Sequence, residues 1–75
     1  MSFEEEKKSN FVRLAESRTN KAINQIELIG NLSNRNYYSY TPEQVEAVFT
    51  ALQDSLKAQK RKYDIALSKK RKFRL

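Results

Sequence analysis

Apolar side chains after Thr41 recur with a spacing that places them on one face of an α-helix. The members of this C-terminal stripe are Val45, Phe49, Leu52, Leu56, Gln59, Tyr63 and Ala66, widened by Val48 and Leu67. Alternating steps of four and three residues are typical of a coiled-coil-like seam. Gln59 either specifies the alignment of the seam or lies at its solvated edge. The spacing predicts a helix that packs through one face.

The sequence also marks where this helix begins. Thr41 supplies a hydroxyl for the N-cap, Pro42 fits the first helical position, and Gln44 follows the cap by three residues. Threonine followed three residues later by glutamine forms a capping box, in which each side chain bonds the backbone N–H of the other residue. We therefore predict a helix from Pro42 to Ser68.

A second apolar stripe occupies the N-terminal half of the chain between Ser9 and Ile29. The members of this N-terminal stripe are Phe11, Leu14, Ala15, Ala22, Ile23, Ile26 and Ile29. Their spacing of three and four residues predicts another amphipathic helix. Gly30 either ends that helix in a left-handed conformation, or the helix continues to Ser33 or Asn34.

About ten residues, 31–40, connect the two predicted helices, which favours an antiparallel helical hairpin. The fold expected is therefore all-α: a two-helix antiparallel hairpin with a basic C-terminal extension of helix 2. A 75-residue chain has a thin core, so we expect two hairpins to form a homodimeric four-helix bundle, or a heterologous protein to cover the exposed flank. The expected divisions are an acidic and basic N-terminal arm (1–8), the hairpin (9–68) and a basic tail (69–75).

Positive charge is concentrated at the C-terminal end. The last nineteen positions hold nine of the fifteen basic residues and one acidic residue, Asp64, a formal charge of +8. The candidate nucleic-acid-binding residues are Lys57, Lys60, Arg61, Lys62, Lys69, Lys70, Arg71, Lys72 and Arg74. Clustered cations bind phosphate backbones by releasing counterions, so this segment indicates binding to DNA or RNA without base-specific readout. The alternative is a solubilising face at a helix C-terminus.

Aromatic residues are concentrated in the connection between the helices. The candidate partner-binding or base-stacking residues there are Arg35, Tyr37, Tyr38 and Tyr40. Tyrosines in a loop can stack on unpaired bases or anchor a protein interface. They can equally lie back over the open end of the hairpin.

Several function classes have little support in the composition. The chain contains no cysteine and no histidine, and it has no phosphate-binding glycine loop and no metal-ligand spacing. We therefore expect no enzyme, no catalytic residues, no metal site and no cofactor. No apolar run approaches the roughly 20 residues of a membrane span. We expect a cytoplasmic protein without a membrane partner.

Four stretches between residues 18 and 56 carry a further signal. They are Arg18-Thr19-Asn20-Lys21-Ala22, Ile29-Gly30-Asn31-Leu32-Ser33-Asn34-Arg35, Tyr-x-Tyr-Thr at 38–41, and 45–52. Together they resemble small proteins of bacterial, largely Firmicute, mobile elements. That group has no assigned activity, so the resemblance implies an accessory cytoplasmic protein and no site residues. It omits the basic tail, which implies that nucleic-acid binding is not a property of the whole group.

Two functional hypotheses follow. The first is a small accessory or regulatory nucleic-acid-binding protein that contacts phosphates through its basic C-terminal helix and tail. The second is a protein-interaction module, an adaptor or inhibitor, that uses the helix 2 seam and the tyrosine loop and has no nucleic-acid role.

Overall fold

The computed structural model of the chain describes residues 2–68. It contains two α-helices in this range, α1 (Phe3–Asn31) and α2 (Pro42–Ser68), and the described residues include no strand. The all-α prediction is therefore confirmed for this part of the chain. Two compact units divide the chain after Ser39, and each contains one of the helices.

Helix α1 begins at Phe3, earlier than the apolar spacing indicates, and residues 3–8 of the expected arm are helical. Ser2 is its N-cap: the backbone N–H of Glu5 donates to the Ser2 side-chain Oγ at 3.2 Å. Glu4, Glu5 and Glu6 occupy the first turn, where carboxylates interact favourably with the helix dipole. These local interactions explain why α1 starts before its apolar stripe.

The side chain of Lys7 stabilises this first turn through two contacts. Its Nζ lies 3.3 Å from Glu4 Oε1 and 5.4 Å from the centroid of the Phe3 ring. An exposed ion pair of this kind contributes at most about 1 kcal/mol, and a cation above an exposed ring contributes a similar amount. Both contacts lie within about one turn, so they stabilise the start of α1.

Gly30 lies inside α1, and no described residue, Gly30 included, has a positive φ angle. The first predicted alternative, a left-handed glycine cap, is therefore wrong, and the helix also ends before Ser33. The helix instead ends at Asn31, with Leu32 as C-cap at φ −72° and ψ −4°. The N–H groups of Leu32 and Ser33 donate to the carbonyls three residues earlier, both at 3.1 Å. These shorter-range hydrogen bonds give the carbonyls of Ile29 and Gly30 a donor at the end of the helix without requiring a positive φ angle.

The start of α2 confirms the predicted capping box. The Gln44 N–H donates to Thr41 Oγ1 at 3.1 Å, and the Thr41 N–H donates to Gln44 Oε1 at 2.9 Å. The Val45 N–H also donates to the Thr41 carbonyl at 3.1 Å. With Pro42 at the first helical position, this reciprocal arrangement fixes the residue at which α2 begins.

The apolar stripes of both helices are largely accessible to solvent, and no described residue is buried. Leu14, Ala15, Ile29, Tyr40 and Leu52 are half-buried. Burial of a large apolar side chain is worth about 1.5–3 kcal/mol. Each stripe is therefore a surface on which further packing would stabilise the helix that carries it.

Candidate functional site

The described part of the predicted basic site is residues 57–68 of α2, here called the basic segment. Lys60 and Arg61 follow Lys57 by three and four positions, so both lie on the same side of the helix as Lys57. All three residues are exposed. They therefore form one surface strip of positive charge on a rigid element.

Lys62 is also exposed, but it follows Lys60 by two residues and so points about 160° away from Lys60 around the helix. The structure thus brings together three of the four predicted basic residues of this segment. Lys69, Lys70, Arg71, Lys72 and Arg74 lie outside the described residues, as does the basic tail (69–75) to which they belong.

One carboxylate interrupts the basic strip. Asp64 Oδ1 lies 3.3 Å from Lys60 Nζ, and both side chains are well exposed, at 60% and 75%. A lysine that precedes its acidic partner by four residues is the weaker orientation of a helical ion pair. The pair therefore restrains Lys60 only slightly, and the segment keeps four basic and one acidic side chains, a formal charge of +3.

The first part of α2 has the opposite charge. Residues 42–56 contain Glu43, Glu46 and Asp54 and no basic residue, a formal charge of −3. All three carboxylates are exposed. Helix α2 is therefore divided along its length into an acidic part and the basic segment.

The connection that contains the predicted tyrosines is organised by Asn34. Its side-chain Oδ1 accepts from the Asn36 N–H at 2.9 Å, and its carbonyl accepts from the N–H groups of Tyr37 at 3.2 Å and Tyr38 at 3.0 Å. Asparagine is favoured in turns because its side chain can bond backbone N–H groups two residues later. Our sequence analysis did not identify this role for Asn34, although its position in an Asn- and Ser-rich loop is the signal.

The three loop tyrosines differ in accessibility. Tyr37 is 79% exposed, Tyr38 is also exposed, and Tyr40 is half-buried. Arg35, the fourth predicted residue of this loop, is exposed. Tyr37 and Tyr38 thus present aromatic surface that a ligand can reach, whereas Tyr40 presents less accessible surface.

The described residues offer neither a cluster of metal ligands nor a membrane span. Within 2–68, no three Asp and Glu side chains lie close enough together to hold a metal ion. Neither α1 nor α2 is apolar over a length sufficient to cross a bilayer.

The chain matches no protein-family model, no curated protein and no solved structure.

Proposed function

We propose that this chain is a small accessory or regulatory nucleic-acid-binding protein, cytoplasmic and non-catalytic, that contacts phosphates through the basic segment and the basic tail. The observation that carries the proposal is the exposed strip of Lys57, Lys60 and Arg61 on one side of α2. The resemblance of residues 18–56 to proteins of bacterial mobile elements is consistent with an accessory role.

The physical basis is counterion release. Lysine and arginine that neutralise phosphates displace condensed cations, and the binding constant for duplex DNA then falls steeply with salt. Strip residues on a helix hold their spacing, so they can contact successive phosphates together. Contacts of this kind position a protein on nucleic acid and carry no sequence information.

Tyr37 and Tyr38 supply a second type of contact in the proposal. Every base has a flat face, so stacking on tyrosine tolerates any sequence and is worth about 1–3 kcal/mol per base. Stacking requires bases that are not already stacked in a duplex. The exposed tyrosines therefore favour single-stranded nucleic acid over duplex as the ligand.

The proposed assembly is an antiparallel hairpin that pairs with a second copy as a four-helix bundle. It is supported by the exposed apolar stripes of α1 and α2, because covering apolar surface is favourable at about 25 cal/mol per Å². Short helical proteins commonly cover such surface by self-association.

The test is a salt-dependent titration of the full chain with single-stranded and duplex DNA and RNA. In the variant, Lys57, Lys60 and Arg61 are changed to Gln, and Lys7, Lys8 and Arg13 are changed to Gln in the matched control. Each triple variant loses three positive charges, but only the first loses them from the basic segment. Fluorescence anisotropy at several salt concentrations gives the affinity and its salt dependence.

We expect the basic-segment variant to bind about tenfold to a hundredfold more weakly at low salt, with a shallower salt dependence. The α1 control should bind within about threefold of the unmodified chain. Equal losses in the two variants would show that net charge alone is responsible, and unchanged binding in both would remove the basic segment from the proposal.

A protein-interaction module is the second candidate. The observation that favours it is the exposure of the C-terminal stripe, in which Leu56 is 71% and Tyr63 56% accessible. A helix or groove of another protein could bury this surface. Absence of nucleic-acid binding at low salt, together with retained helicity, would favour this candidate over the first.

A further inference from the structure

The charge division of α2 is sharper than the stability of a single helix requires. Acidic residues near an N-terminus and basic residues near a C-terminus interact favourably with the helix dipole, but this effect declines within the first and last turns. Asp54 and Lys57 lie in the middle of α2, where the dipole gives no such preference. The change of sign at the centre therefore calls for another explanation.

The C-terminal stripe provides an explanation for this division of charge, because the stripe runs through both the acidic part and the basic segment of α2. Its steps of four and three residues assign Phe49, Leu56 and Tyr63 to one core position of a heptad and Val45, Leu52, Gln59 and Ala66 to the other. Glu46 and Lys60 then occupy the same flanking position, two heptads apart. In a coiled coil, flanking residues form the ion pairs that select partner and orientation.

We infer that two copies of α2 pair antiparallel along this stripe, in the register that sets Glu46 of each copy opposite Lys60 of the other. This inference rests on the dimer within the proposed function and adds its interface and orientation. The same register sets Leu52 against Leu56, Phe49 against Gln59 and Val45 against Tyr63. A large side chain thus meets a smaller one in two of the three layers, which suits close packing.

A parallel arrangement of the same two helices is unfavourable. It would align the two acidic parts with each other and the two basic segments with each other, so that like charges lie side by side. The antiparallel register replaces both repulsions by attraction. In this register Lys60 leaves the exposed pair with Asp64, which is weak enough to be exchanged.

Charge reversal tests the register in the full chain. Glu46→Lys and Lys60→Glu each replace two attractive pairs of the dimer by two repulsive ones, and each should raise the dimer dissociation constant about tenfold or more. An equimolar mixture of the two variants should form heterodimers, because position 46 of each chain then faces the opposite charge at position 60 of the other. The double variant E46K/K60E should dimerise alone for the same reason.

The matched controls are Glu43→Lys and Lys57→Glu, which make the same charge changes at positions outside the contacts of this register. Their mixture should show no preference for heterodimers. Sedimentation equilibrium measures the dissociation constants, and circular dichroism verifies that each variant remains helical. If the mixture and the double variant E46K/K60E fail to recover dimerisation while the unmodified chain dimerises, the register is wrong.

A spin-label distance measures the orientation independently of charge. The chain has no cysteine, so Glu43→Cys provides one labelling position. With about 1.5 Å rise per residue, antiparallel pairing about residue 54 separates the two labels by about 30 Å, whereas parallel pairing leaves them below about 20 Å. A short distance would overturn the antiparallel orientation, and a monomeric unmodified chain would instead refute the proposed dimer itself.

Discussion

Helices α1 and α2 carry the same formal charge but distribute it differently. α1 contains five acidic and five basic residues, and α2 contains four of each, so both are neutral by count. Acidic and basic residues alternate in short runs along α1, whereas every acidic residue of α2 except Asp64 precedes Lys57, the first basic one. The position of charge along a helix, and not its amount, therefore distinguishes the candidate site from an ordinary solvated surface.

The N-terminal ends of the two helices differ in a related way. Thr41 and Gln44 bond each other's backbone N–H in α2, whereas in α1 the structure records one side-chain bond at the cap, from the Glu5 N–H to Ser2. The start of α1 depends more on its three first-turn carboxylates and on Lys7. α2 thus begins with a reciprocal hydrogen-bonded cap, whereas the start of α1 combines one such bond with charge interactions that salt screens.

The largest expected effect concerns the apolar stripes. We expect Leu52→Ala to lower the free energy of unfolding by about 2–4 kcal/mol, because the proposed packing covers Leu52 in solution. Leu28→Ala makes the same substitution on α1, at an exposed position outside the N-terminal stripe, and should cost less than about 1 kcal/mol. Urea unfolding followed by circular dichroism compares the two. Similar small losses would indicate that the C-terminal stripe remains uncovered.

A smaller effect is expected at the caps. Thr41→Ala should lower stability by about 1 kcal/mol, because it removes the acceptor for the Gln44 N–H, and Ser2→Ala should cost about half as much at an end that frays more easily. Thermal unfolding at low and high salt sharpens the contrast. Only the Ser2 variant should become more salt-sensitive, since its helix start then depends on charge alone. Equal costs and equal salt responses would remove the proposed difference between the two ends.

Gly30 provides a stabilising change in α1. It adopts a helical conformation, and a Cβ added there would meet no atom within 4 Å. We expect Gly30→Ala to raise the free energy of unfolding by about 0.5–1 kcal/mol, because alanine has less conformational entropy to lose. Thermal unfolding of the full chain measures the change. A loss of stability would show that position 30 leaves the helical region in solution.

The smallest expected effect concerns Asp64. Asp64→Asn removes the partner of Lys60, which should change stability by less than about 0.5 kcal/mol and raise nucleic-acid affinity severalfold. Glu16→Gln makes the same charge change in α1 and should leave affinity nearly unaltered. Anisotropy titrations at low salt provide the measurement. An equal gain in both variants would show that charge distribution is irrelevant to binding.

Local sequence was sufficient to predict the first residue of α2 and the apolar stripe along it. The capping box, the proline at the first helical position and the stripe all depend on residues within four positions of each other, so neighbouring residues determine them. The start of α1 is equally local. Ser2 followed three residues later by Glu5 is itself a capping pattern, but the apolar stripe alone did not reveal it.

Gly30 shows where local sequence is ambiguous. Glycine adopts helical and left-handed conformations at similar cost, so the sequence allows α1 to end at that residue or to continue past it. The structure selects the helical conformation and ends α1 at Asn31. No neighbouring residue type distinguishes these outcomes, because the free-energy difference between them is small.

The sequence by itself determined the helical class, the first residue of α2 and the charge division along that helix, because each is a property of near neighbours in the chain. Only the three-dimensional structure decided that Tyr37 extends into solvent while Tyr40 is half-buried. Accessibility depends on every atom that surrounds a residue in space, and the order of residues along the chain does not specify those surroundings.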